Sequence, residues 1–150
     1  FEAASWAKEN GVDLIVTDHH LSDDTKGNPD AFAVVNPNQS ECEYPDKNLA
    51  GVGVAFKLAH ALLREKNREN LVGHFLKMVA IGTIADIMKL TGENRAIVAL
   101  GLRDLPKATN FGLKALMEVA DCTSEMTSYT IGFRIAPRIN AAGRMDEALT

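Results

Sequence analysis

The sequence predicts an α/β fold in which a short parallel sheet is followed by a mainly helical portion. Three observations carry that prediction: an apolar, β-branched run at residues 12–17 (VDLIVT), a second at residues 33–36 (AVVN) closed by Pro37, and, from residue 50 onward, successive segments with apolar residues at helical spacing. Short runs of this kind suit strands buried on both faces, as in a parallel sheet, better than half-exposed alternating strands.

The elements follow in order. Residues 2–10 read as an amphipathic helix (Ala3, Ala4, Trp6, Ala7) stopped by Asn10-Gly11, a pair that tolerates positive φ at a helix C-terminus. After the first strand, Asp18, Asp23, Asp24, Asp30, Glu41, Glu43 and Asp46 face a single Lys26 in a stretch rich in Asn, Pro, Ser and Gly, which reads as a solvated loop around the second strand. Helical spacing then marks residues 50–66, 71–81, 95–102 and 111–120. A short helix over 129–133 precedes a segment, 134–140, that Pro137 predicts to be extended, ending at Ala141-Ala142-Gly143-Arg144. The expected organisation is a single, partial domain over 1–150, with the carboxy-terminal part of its sheet in 1–45 and a mainly helical portion in 46–150.

Composition bounds the function. With 150 residues, 46% hydrophobic, 24% charged and a net charge of −4, the chain can build one core without disulfide or metal staples. No apolar run reaches the roughly 18 residues of a membrane span, and the first residues lack a signal-peptide pattern, which predicts a cytoplasmic protein with no membrane partner. Cys42 and Cys122 have no C-x-x-C spacing and predict two reduced thiols. Phe1 in place of Met, inside a helical pattern, predicts a piece of a longer protein.

Three features could carry chemistry. Asp18-His19-His20 follows the first strand and so falls at a strand's carboxyl end, the edge where open α/β sheets bind ligands. A carboxylate beside two imidazoles can begin a site for Mn²⁺, Zn²⁺ or Fe²⁺; equally, loop histidines are common. Asp86 lies in the most apolar segment (VAIGTIADIMKL), where a buried carboxylate needs a partner, a backbone cap or a metal, and Gly82-Thr83 would break the helix before it. Finally, Arg134, Arg138 and Arg144 fall in a stretch, 126–145, without a carboxylate. Arg144, after Ala141, Ala142 and Gly143, is the one best placed to hold a phosphate; the others could simply pair with the acidic loop. His60 and His74 read as surface or structural residues, Gly51 and Gly53 as close packing of a helix start, and the aromatics show no stacking platform. Together the three features suggest metal-assisted hydrolysis of a phosphate ester, although the ligand count is short for two ions.

The segments VTDHH (16–20), NPNQ (36–39), YPDKNLAGVGVAFKLAHAL (44–62), VAIGTIADIMKL (79–90) with NRAIVALGL (94–102), and IAPRINAAGRM (135–145) resemble, in this order, the single-strand-specific exonucleases of the DHH phosphoesterase superfamily. The resemblance covers nearly the whole chain. It implies an enzyme dependent on Mn²⁺ or Mg²⁺ that degrades single-stranded DNA from its 5′ end in recombination and repair, with a single-strand-binding protein and a helicase as further partners. It assigns His19 and Asp86 to the metal, His20 to the metal or the scissile phosphate, and Asp18 to orienting its neighbours. Asn140, Gly143 and Arg144 match the segment facing substrate phosphate.

The family's first carboxylate motifs, which include D-x-D, have no counterpart here, nor do its carboxy-terminal substrate-binding domain and oligonucleotide-binding barrel. The expectation is therefore half of a two-metal site in a chain that is inactive alone. The alternatives are a DHH phosphodiesterase for short oligonucleotides or cyclic dinucleotides, and a non-catalytic DHH-like scaffold. An unpaired edge on the first strand would favour self-association.

Overall fold

A computed structural model of the chain describes residues 1–23, 25–122 and 125–145, with side chains as far as Ala142. The order is α1 (Glu2–Glu9), β1 (Ile15–Thr17), β2 (Ala33–Val35), α2 (Gly51–Glu65), a 3₁₀ turn (Glu69–Leu71), α3 (Val72–Ala85) and α4 (Gly92–Asp104). A second 3₁₀ turn (Leu105–Lys107), α5 (Phe111–Val119), the single turn α6 (Ser128–Thr130), a π-helical turn (Ile131–Ile135) and α7 (Ala136–Met145) complete it. The predicted α/β class and the parallel pairing are both present, with Ile15 opposite Ala33 and Thr17 opposite Val35.

Helix α1 ends as its sequence dictates. Gly11 takes φ +67°, and the N–H groups of Gly11 and Val12 return to the carbonyls of Lys8 and Ala7 at 3.2 and 2.8 Å. Helix α5 is capped by Asn110, whose side chain accepts from the Leu113 N–H at 2.9 Å.

Four expectations need correction. The first strand is three residues long and half-exposed rather than buried on both faces; β1 and β2 form a two-stranded sheet, and no third strand pairs with it among the described residues. The core is two clusters. One gathers Leu105, Leu113, Met117, Ile131 and Ile135, the other Leu49, Val54, Phe56 and Ile97; α3 serves both, with Ile81 in the first and Val79 in the second. Helix α3 does not break at Gly82. That glycine instead admits Val52 of α2, whose Cγ1 would lie 2.8 Å from an added Cβ. Finally, residues 134–140 are helical, not extended. Pro137 sits at the second position of α7, directly after the π turn, where the wider backbone relieves its clash with a preceding carbonyl.

Candidate functional site

Chain direction changes abruptly after Thr17. The Asp18 N–H still bonds to the Val35 carbonyl at 3.0 Å, extending the β1–β2 ladder by one step. Its carboxylate then folds back on the two histidines: Oδ1 accepts from the N–H groups of His19 and His20 at 2.7 and 3.2 Å and lies 2.6 Å from His20 Nδ1. Partial burial pushes the Asp18 carboxyl up, but the hydrogen bonds from the His20 side chain and from both backbone N–H groups outweigh it and hold the pKa below the ordinary 3.8. An ionised oxygen can only accept, so it selects the His20 form with a proton on Nδ1 and leaves Nε2 as the free face.

The residues after β2 hold the same turn from behind. The Asn36 and Asn38 side-chain amides donate to the carbonyls of His20 and His19 at 2.9 and 2.6 Å. Asn36 is buried, and its own Oδ1 accepts from the Asn38 N–H at 2.9 Å. Asn36 and Asn38 went unrecognised as site residues in the sequence. The signal was two asparagines around Pro37, directly after a strand parallel to the one ending in the histidines.

His19 turns inward, with a side chain 16% exposed, and its Nε2 lies 3.4 Å from Asp86 Oδ2. The N-terminus of α2 packs on the ring, since a Cβ at Gly51 would stand 3.2 Å from His19 Cδ2. Gly51 thus allows close packing and cradles no ligand of its own. Asp86 is the C-cap of α3, and its side chain is 47% exposed, so the expected buried carboxylate is instead an open one. Its place is electrostatically unfavourable: a negative group beside the last carbonyls of a helix meets the negative end of the dipole, a cost of about 0.3–1 kcal/mol that a cation would offset.

An imidazole nitrogen and a carboxylate oxygen at this spacing, beside an electronegative helix end, form a donor pair suited to a divalent ion such as Mn²⁺. Two donors are half a site, and among the described residues no three His, Cys, Asp or Glu side chains converge on a common point.

Other candidates lie elsewhere. Asn140 is exposed on α7, a helix that packs on α3, but no hydrogen bond ties it to the histidines or Asp86 among the described residues. Gly143 and Arg144 have their backbone in α7; the Arg144 side chain lies outside the described residues. Arg134 donates to the Asp121 carbonyl at 2.7 Å and Arg138 to the Arg134 carbonyl at 2.6 Å, and among the described residues neither pairs with the acidic loop. His60 stacks on Phe56, His74 is exposed, and both cysteines are free thiols.

This α/β arrangement, with D-H-H at a strand's carboxyl end, belongs to a described class: residues 1–83 match the model of the DHH family, N-terminal domain, and the chain is a member of that family. More particularly, it is similar to the single-stranded-DNA-specific exonuclease RecJ. It is 49% identical to the Bacillus subtilis protein over 146 residues, which is 97% of this chain and 18% of the relative. The crystal structure of exonuclease RecJ bound to manganese superposes with a TM-score of 0.84 at 38% identity, covering 99% of this chain and 36% of that one. RecJ in complex with Mg²⁺ from Thermus thermophilus gives 0.74 at 38% identity, covering 93% of this chain and 20% of that one. The chain thus spans well under half the length of the relatives it matches. Among the described residues no helix is long and apolar enough to cross a membrane.

Proposed function

We propose that this chain carries the histidine half of a phosphodiester-hydrolysing metal site, and that the activity it serves is 5′-to-3′ degradation of single-stranded DNA with Mn²⁺ or Mg²⁺. The observation that carries the reading is the His19 Nε2–Asp86 Oδ2 approach of 3.4 Å, in a chain whose fold superposes on manganese-bound RecJ at a TM-score of 0.84. His19 and Asp86 would hold the ion, with His20 beside them; further carboxylates would come from outside these 150 residues. A bound divalent ion supplies Lewis acidity at a phosphoryl oxygen and lowers the pKa of water.

The chain's own residues have distinct tasks in this reading. Asp18 keeps a proton on His20 Nδ1, so that Nε2 faces outward toward the metal or a phosphate oxygen. Asn36 and Asn38 hold the histidine backbone in place. Asn140, Gly143 and Arg144 would face the substrate phosphates, where a guanidinium can bond two oxygens at once. Residues 1–45 and 46–150 then act as the sheet and helical parts of one incomplete DHH domain, with single-stranded DNA as substrate and a single-strand-binding protein and a helicase as partners of the whole cytoplasmic enzyme.

The test is digestion of end-labelled single-stranded DNA in Mn²⁺ by the 150-residue chain and by the longest polypeptide that contains it. The expected result is 5′-end release by the longer protein and little or none by the chain alone. Full activity from the 150 residues would refute the half-site. Preferential hydrolysis of cyclic dinucleotides or very short oligonucleotides by the longer protein would refute the substrate.

A further inference from the structure

We propose that Asn94 is a positioning residue for the His19–Asp86 pair, clamping the two segments that bring those side chains together; the inference rests on reading the pair as a donor set. Asn94, the third residue of α4, is 0% exposed. Its Nδ2 donates both protons, one to the Asn48 carbonyl at 2.6 Å and one to the Lys89 carbonyl at 3.1 Å. Lys89 lies three residues after Asp86. Asn48 lies three residues before Gly51, the glycine on which the His19 ring rests. One carboxamide therefore ties the turn that carries Asp86 to the segment that seats His19.

The amide orientation is unambiguous in chemical terms. Rotating it by half a turn would set Oδ1 against two carbonyl oxygens and leave no donor for either. Oδ1 itself is buried with no hydrogen-bond partner among the described residues, so it is the two donations that justify an asparagine in this buried position. A second tie runs in parallel: Asp46 Oδ2, from the same segment as Asn48, accepts from the Glu93 N–H at 3.0 Å.

The clamp acts on a strained turn. Ile87, directly after Asp86, has φ +56°, the left-handed region that β-branched residues avoid, and its side chain is exposed. This conformation lets the N–H groups of Ile87 and Met88 close α3 on the carbonyls of Ile84 and Thr83 at 3.0 and 3.3 Å, a role usually given to glycine. Such strain persists only where the surroundings over-determine the backbone, and the bond from Asn94 to Lys89 supplies that constraint.

NMR on the 150-residue chain tests this without metal. In the wild type, both Asn94 Nδ2 protons should exchange as slowly as the Met88 amide, and the His19 ring should show an NOE to the Asp86 β-protons. Asn94→Ala should lose that NOE and exchange the amides of residues 87–89 at least tenfold faster, while the α5 amides keep their protection. Adding Ile87→Gly, which removes the strain, should restore the NOE. A variant that keeps the NOE and the exchange rates overturns the proposal. If Asn94→Ala does not fold, the wild-type Nδ2 exchange decides, and fast exchange overturns it. Paramagnetic broadening of His19 and Asp86 by Mn²⁺ in the wild type tests the metal reading separately: its absence would refute that reading, and the metal-free data would still decide the clamp.

Discussion

Asp46 shows how much a single carboxylate in an acidic run can do. It accepts from the Asn48 N–H and, at 3.0 Å, from the Glu93 N–H in the first turn of α4, a helix whose own N-cap Thr91 makes no side-chain bond. The Asn48 and Glu93 backbone bonds hold its pKa below the ordinary 3.8. A depressed carboxylate contributes stability that is fully present above the unfolded value and is lost as pH falls through the folded one. Hydrogen bonds to an ionised acceptor exceed neutral ones by about 1 kcal/mol, so Asp46→Asn should cost about that much in urea unfolding at pH 7. The gap between variant and parent should close as pH drops below 3.8. A gap that stays constant into acid would show that the charge plays no part. Nothing in the sequence distinguished Asp46 from its exposed neighbours, because its partner Glu93 is distant in the chain. His19 and Asp86, by contrast, were legible through strand-end position and apolar context, although the predicted burial of Asp86 was not what the fold provides.

At the scale of elements, α3 and α4 form the most extensive helix pair among the described residues, and glycine placement decides how closely they meet. A Cβ at Gly101 of α4 would stand 2.4 Å from Ala80 Cβ and 2.5 Å from the Leu76 carbonyl oxygen of α3, a backbone atom that cannot yield. Gly73, in the first turn of α3, has nothing among the described residues within 4 Å of the corresponding position. The same substitution should therefore have opposite signs. Gly101→Ala forces two helices apart and should destabilise by about 1–3 kcal/mol, the usual range for overpacking. Gly73→Ala only removes backbone entropy from the unfolded chain and should stabilise by up to about 1 kcal/mol. Thermal melts of the two variants check both signs, and a stabilised Gly101→Ala would contradict the packing. The helices themselves were legible from apolar spacing, which reports the face a helix buries. The helical course of residues 134–140 was not, because Pro137 is compatible with a helix only behind the preceding π turn, and the turn leaves no mark in the local pattern.

For the whole molecule, the order of elements and the parallel pairing could be read from periodicity, but the exposure of β1 could not, since that depends on what lies beyond its open edge. Around the sheet, Val12 before β1, Ile15 within β1 and Phe32 before β2 are all exposed. A three-residue pairing with open backbone N–H and C=O groups beside these side chains is a template for a second strand. The identical strand of a second copy meets that template in the purified chain. Sedimentation velocity should accordingly show concentration-dependent self-association, and Ile15→Lys, a charge on the exposed strand, should shift the equilibrium back to monomer. Monomer alone over a hundredfold range of concentration would mean that the open edge is protected by its own twist and solvation.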